Sequence, residues 1–180
     1  MSPGYNTDNT DSMDIISRLL ELPGYKLALA DTSQREKERR FCCHDSAHLW
    51  ETARVAYILF LTGEVPCPEL MPYDDKRRKE IIYAAALVHD IARYKEYDDP
   101  RLCHAAESAV MARPLLVAAG FSAEEISIID SAVANHRKEG YAGFDLLLYR
   151  ADKESRPCAA CPVLGECKKF QNGRRPHITF

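Results

Sequence analysis

The stretch Ala84-Ala85-Ala86-Leu87-Val88-His89-Asp90-Ile91-Ala92-Arg93-Tyr94 decides how the rest of the chain is read. An apolar run ends there in a vicinal His-Asp pair, where a helix packed among others reaches a cleft. Successive helical residues point about 100° apart and do not face a common point. They can still share one ion placed between them, imidazole from one side and carboxylate from the other. The dipeptide alone says little, because polar residues at a helix end are ordinarily just solvated. Its company changes the reading: His44 and His48 stand upstream, and His104, His136 and Asp152 downstream.

Outward from that pair, the central helix is expected to start at Asp74, charged over Lys76 to Glu80 and apolar from Ile81. Upstream, Phe41-Cys42-Cys43-His44-Asp45-Ser46-Ala47-His48 opens a long helix that runs through Leu49, Val55 and Leu59 to Gly63. His44 and His48 lie four apart and so stack on one helix face. Pro66, Pro68 and Pro72 make 63–73 a loop. Nearer the N-terminus, Asp11 or Ser12 caps a short helix from Met13 to Leu22, with Ile15, Ile16, Leu19 and Leu20 on its apolar face. Residues 25–40 form a weaker helical candidate ending in Arg35-Glu-Lys-Glu-Arg-Arg40, read as a solvated face, with a phosphate-facing role as the alternative; 1–11 read as a flexible N-terminus.

Downstream, 96–100 reads as a turn, and a helix runs from Cys103 to Ala119 with Gly120 as its stop. Ser122-Ala-Glu-Glu125 reads as a capping box. The helix it opens carries Ile126, Ile129 and Val133 at helical spacing and delivers Asn135-His136. Beyond a loop bracketed by Gly140 and Gly143, Leu146, Leu147, Leu148 and Ala151 place Asp152 on a final core helix. There is no strand-like alternation and no internal repeat. The expectation is an all-α bundle of about six or seven helices, occupying 12–156, with a cysteine-rich tail over 157–180.

The 180 residues suit one compact domain with a short appendage. A net charge of −3 and a pI near 6.1 argue against a general nucleic-acid binder. The best apolar run, Ile81 to Val88, is far too short to cross a bilayer. The polar N-terminus lacks the order of a signal peptide, so a cytoplasmic protein is expected. Seven cysteines (Cys42, Cys43, Cys67, Cys103, Cys158, Cys161 and Cys167) are an odd number without a secretion signal. Reduced thiols, some of them metal ligands, fit better than disulfides. Cys158-x2-Cys161-x5-Cys167 is one ligand short of a closed thiolate site, and Cys42 is the candidate fourth, with Cys43 the alternative. Structural zinc, an iron–sulfur cluster and free thiols all stay open. A basic tail follows, with Lys168, Lys169, Arg174 and Arg175.

In their order along 44–155, His48-Leu-Trp-Glu-Thr52, Leu87-Val-His89-Asp90-Ile91-Ala92-Arg93, His104-Ala-Ala-Glu, Ala134-Asn-His136 and Ala151-Asp152-Lys153 closely resemble the HD superfamily of metal-dependent phosphohydrolases. The resemblance implies that His48, His89, Asp90 and Asp152 hold one divalent ion. His104 and His136, with Asp90 bridging, would hold a second, or would serve as outer or substrate-binding groups in a one-metal site. Mixed imidazole and carboxylate donors suit Mn, Fe, Co, Ni or Zn. His44 is a ligand, an acid or base near the leaving group, or simply exposed. Arg93 and Lys153 either clamp phosphate or form salt bridges. The implied activity is hydrolysis of a phosphate ester or anhydride of a small metabolite, a nucleotide being the expected class. A mixed-valent diiron oxygenase is the alternative enzyme; Arg93 weighs against it, because some of those oxygenases carry another histidine just after the HD pair. A non-catalytic metal or redox sensor is the third reading. No Gly-rich phosphate loop of the Walker type is present.

Overall fold

The computed structural model describes residues 13–171 and 175–176. Among these residues the chain is all α: seven helices of eight residues or more, one six-residue helix, several short 3-10 turns and no strand. The expected caps Asp11 and Ser12, and Arg174 of the tail, lie outside the described residues.

Local chemistry sets most boundaries. Helix α1 (Asp14–Glu21) buries Ile15, Ile16 and Leu19. Leu22 is extended, with ψ 128°, as the residue before a proline tends to be, and Pro23 then opens α2 (Pro23–Glu36). Asp45 caps α3 (Ser46–Leu61) by accepting from the His48 N–H at 3.2 Å. Asp74 does the same for α4 (Asp75–Val88) through the Arg77 N–H at 2.7 Å. The six-residue helix is α5 (Arg93–Asp98). Gly120, at φ +105°, ends α6 (His104–Ala119) in a conformation that a side chain would disfavour. The capping box of Ser122 and Glu125 is present and opens α7 (Ala123–Asn135). Helix α8 (Gly143–Glu154) completes the bundle.

Helix α4 is the central post. Ile81, Ile82, Ala84 to Ala86, Leu87 and Val88 are all buried, and α3, α7, α6, α1 and α8 all pack against it. Three consecutive alanines let neighbours approach from several sides at once. From Ile81 onward the helix is apolar on nearly every side, as a segment in a core is.

Four expectations need correction. Helix α4 stops at Val88, so His89 and Asp90 lie in the turn that follows. Helix α3 starts at Ser46, so His44 lies before its cap and the two histidines are not helix-stacked; their rings still meet, 5.0 Å apart. The segment expected as a turn at 96–100 is helical up to Asp98. The charge run 35–40 is solvated at Arg35, Lys37, Glu38 and Arg40 but not throughout: Glu36 is 2% exposed, held by groups from α5 and the loop before α3. No helix among the described residues is long and apolar enough to cross a membrane.

Candidate metal centre

Helix ends build the site. His89 follows α4 and His136 follows α7, each at the C-cap. Each donates Nδ1–H to a carbonyl of its own last turn, His89 to Ala86 O at 2.6 Å and His136 to Val133 O at 2.7 Å. These bonds satisfy carbonyls the helix leaves open, fix the tautomer and turn Nε2 inward. They also place two helix C-termini, the negative ends of the backbone dipoles, beside one point where a cation gains from them. His48 comes from the first turn of α3, His104 from the start of α6 and Asp152 from the last turn of α8.

Asp90 sits at the middle with its two oxygens facing different histidines. Oδ1 lies 3.0 Å from His104 Nε2 and 3.4 Å from His136 Nε2. Oδ2 lies 3.6 Å from His89 Nε2 and 4.0 Å from His44 Nε2. His48 Nε2 is 3.3 Å from Asp152 Oδ1. Ligand bonds of about 2.1 Å would put neighbouring donors of one ion about 3.0 to 3.4 Å apart. Three triads have all their donor atoms within 4.8 Å: His44/His48/Asp90, His48/His89/Asp152 and His89/Asp90/His136. They share members and form one continuous centre. His104 joins no such triad and reaches the centre through Asp90 and through its ring, 5.4 Å from that of His136.

Burial tests whether these groups suit an ion. Among the described residues, His48 Nε2, His89 Nε2 and Asp90 Oδ1 are buried side-chain atoms without a hydrogen-bond partner. Leaving such atoms unpaired costs on the order of 1–3 kcal/mol each, and all three point into the centre. The donor set fits a divalent transition metal, and the orphaned atoms are the ones it would take up.

The electrostatics match. Burial depresses His44 to about 4 and His89 to about 3, which keeps both rings neutral with a lone pair to give. Burial would raise Asp90, but His89, His104 and His136 outweigh it and hold the carboxyl well below its usual range. Asp152 behaves alike: burial opposes ionisation, and His48, His89, Arg156 and Lys153 overcome it.

An outer ring orients the donors. Glu36 accepts from the His44 backbone N–H at 2.9 Å and lies 3.5 Å from its Nδ1. Glu96 pairs with His104 Nδ1 and accepts from its backbone N–H at 3.2 Å. Carboxylates behind metal-binding imidazoles are the usual means of fixing such rings. Burial would raise Glu36 too, yet bonds from His44 and Tyr97 bring it down to about 2. Arg93 pairs with Glu36 Oε1 at 3.1 Å and lies 3.8 Å from Asp90 Oδ2; Lys153 pairs with Asp152. Both therefore form salt bridges and also line a cleft of about 300 Å³ that opens on the centre.

Arg39, from the charge run whose alternative reading faces phosphate, lines that cleft as well, with Arg137 and Arg156; sequence reasoning missed these last two, together with Glu36 and Glu96. Arg156 carried a signal. It follows Asp152 by one helical turn, and its Nη2 donates to Asp152 Oδ1 at 2.9 Å. The others look like ordinary surface charges in the sequence.

Fold and centre together define an all-α protein built around a buried histidine/aspartate cluster. The model of the HD domain matches residues 46–160, and the chain belongs to this family of metal-dependent phosphohydrolases. An uncharacterised protein of Clostridium beijerinckii is 32% identical over 155 residues, covering 86% of this chain and 92% of its own. No solved structure matches significantly.

Proposed function

We propose that this protein hydrolyses a phosphate ester or anhydride of a small metabolite, with a nucleotide as the substrate class. The observation that carries the reading is the junction of two features at one cleft: a centre with three orphaned donor atoms, and a rim of five cationic side chains.

His48, His89, Asp90 and Asp152 would hold one divalent ion, and Asp90, through its other oxygen, would share a second with His136 and His104. Bound there, such ions supply Lewis acidity and a water of lowered pKa. The chain's own groups do the rest. Arg39, Arg93, Arg137, Lys153 and Arg156 offer donors to phosphoryl oxygens, and guanidinium forks suit them geometrically. All five pair with carboxylates (Arg39 and Arg93 with Glu36, Arg137 with Glu96, Lys153 and Arg156 with Asp152), so a phosphoryl group would share their donors with those partners. His44 is held by Glu36 at the edge of the centre, where the lone pair on its Nε2 would serve as a ligand or accept a proton from water. Buried walls around Asp90 exclude bulk water from the reacting groups.

The test is a phosphate-release screen of anaerobically purified, metal-loaded protein over nucleoside mono-, di- and triphosphates and sugar phosphates, with Asp90→Ala as control. Release from a nucleotide that vanishes in the variant supports the reading. Full metal loading with no phosphate release from any compound sinks it. Oxygen consumption in that case would favour a diiron oxygenase, and its absence a metal sensor.

A further inference from the structure

The second group of metal-ligand side chains lies outside the histidine centre and outside most of the matched family region. Cys42 precedes that region, and Cys161 and Cys167 follow it. After α8 the chain makes three short 3-10 turns, Cys158–Ala160, Leu164–Glu166 and Lys168–Phe170. Their backbone bonds form a ladder of three-residue steps. Cys161 N–H donates to Cys158 O at 3.2 Å, Leu164 N–H to Cys161 O at 3.2 Å and Cys167 N–H to Leu164 O at 3.0 Å. Each step draws together residues three apart. Cys161 and Cys167 end their turns with extended ψ angles of 121° and 118°, so the chain changes direction at each, and successive turns pack on one another.

This folded tail faces the segment leading into α3. Cys42, Cys43, Cys158 and Cys161 line one cavity of about 400 Å³, together with His44 and His48. The Arg40–Glu166 ion pair ties the two segments together. Cys167 ends the turn Leu164–Glu166, which packs on the turn that holds Cys158 and so brings it to the same face of the tail. Cys42 is the only residue other than glycine with a positive φ among those described, at +44°. That conformation costs an L-residue roughly 1–2 kcal/mol. Cys43 is the weaker candidate, because it is exposed and its thiol donates to Arg39 O at 3.7 Å.

We propose that Cys42, Cys158, Cys161 and Cys167 ligate a thiolate metal centre, separate from the histidine/aspartate centre, that fastens the C-terminal turns onto the loop entering α3. Zinc and an iron–sulfur cluster share this chemistry of four thiolates. No three of the cysteine sulfurs lie within 4.8 Å of one another, whereas Zn–S bonds of about 2.3 Å imply a tetrahedron edge of about 3.8 Å. A cluster spreads its thiolates over separate irons and suits the wider spacing; zinc would draw the turns inward. The centre would brace the active cleft, since Cys42 is two residues from His44 and Cys158 two residues from Arg156. The inference does not depend on the phosphohydrolase reading.

The full chain, purified anaerobically, is tested by metal analysis, acid-labile sulfide and the visible spectrum for the wild type, Cys42→Ser, Cys43→Ser, Cys158→Ser/Cys161→Ser and Asp90→Ala. The wild type should hold either zinc without sulfide, or iron with sulfide and a visible charge-transfer band. Cys42→Ser and the double variant should lose that component and keep the histidine-bound ions. Cys43→Ser should keep both, and Asp90→Ala should keep the thiolate centre. Metal and sulfide contents unchanged in the double variant overturn the proposal. Should the cysteine variants not fold, thiol titration of the native wild type decides. Cys43 and Cys103 should react at once, and four more thiols only after the metal is removed; six thiols reacting at the outset overturn it.

Discussion

The two ends of α4 bury charge in opposite ways. At its N-terminal end, Arg77 donates to Glu80 Oε2 at 2.9 Å and to Glu125 Oε2 at 2.6 Å, and stacks 4.8 Å from the Phe121 ring. Glu125 also accepts from the Ser122 N–H at 2.8 Å. Burial would raise Glu125, but Arg77 and Ser122 hold it down, and the whole cluster is satisfied within the chain. At the C-terminal end, two buried carboxylates and five buried histidines leave three atoms unpaired. Taking charge out of water is costly at both ends. Both ends offset it with neighbouring side chains, but among the described residues only the N-terminal end leaves no buried side-chain atom unpaired. The end with unpaired atoms is the one with donors to offer a ligand, and the satisfied end holds the helix that carries it.

The contrast can be broken most severely at Asp90. Asp90→Ala should strip the centre of its ions and lower phosphate release roughly 10³-fold or more, beyond the loss of a single stabilising donor. Plasma emission analysis and the release assay check both, and a variant that keeps its ions and turnover would place the site elsewhere. Arg156→Ala should lower kcat/KM roughly 10²-fold at full metal loading if its guanidinium meets phosphate. A parallel loss of metal would instead make it a partner of Asp152 only. Glu96→Gln should weaken metal binding roughly 10- to 100-fold by releasing the His104 ring, as read by competition with a chelator.

The satisfied end responds through stability. Arg77→Met should cost about 2 kcal/mol, since Arg77 is partly exposed and its bonds go to charged groups. The midpoint should fall by roughly 4–8 °C, with metal content unchanged. Loss of metal in this variant would show that the two ends are coupled. The smallest effect sharpens the comparison furthest. In chelator-treated protein, Asp90→Asn should lower the midpoint by roughly 2–4 °C, because the histidines that hold the Asp90 carboxyl well below its usual range make its ionised form stabilising in the fold. A higher midpoint would mean that the buried charge is left uncompensated without its ion.

Much of this was legible in the order of residues. The apolar run before His89, the spacing of Ile126, Ile129 and Val133, and the capping box at Ser122 each signal their element through local chemistry. The ends of elements were less legible. Helix α4 stops at Val88 without a glycine or proline, because the His89 ring takes up the Ala86 carbonyl itself. Glu36 read as surface within a run of charges, and only Tyr97, Arg93 and His44, from two other segments, make it an interior residue.

By itself the sequence determined which donors and which helices exist, because residue type sets ligand chemistry and periodicity sets the buried face. Tertiary structure alone decided that Asp90 turns Oδ1 to one pair of histidines and Oδ2 to another, and that His104 stands behind it. It also decided which charges line the cleft. Those facts depend on angles and distances between segments far apart in the chain, and no single helix repeat encodes them.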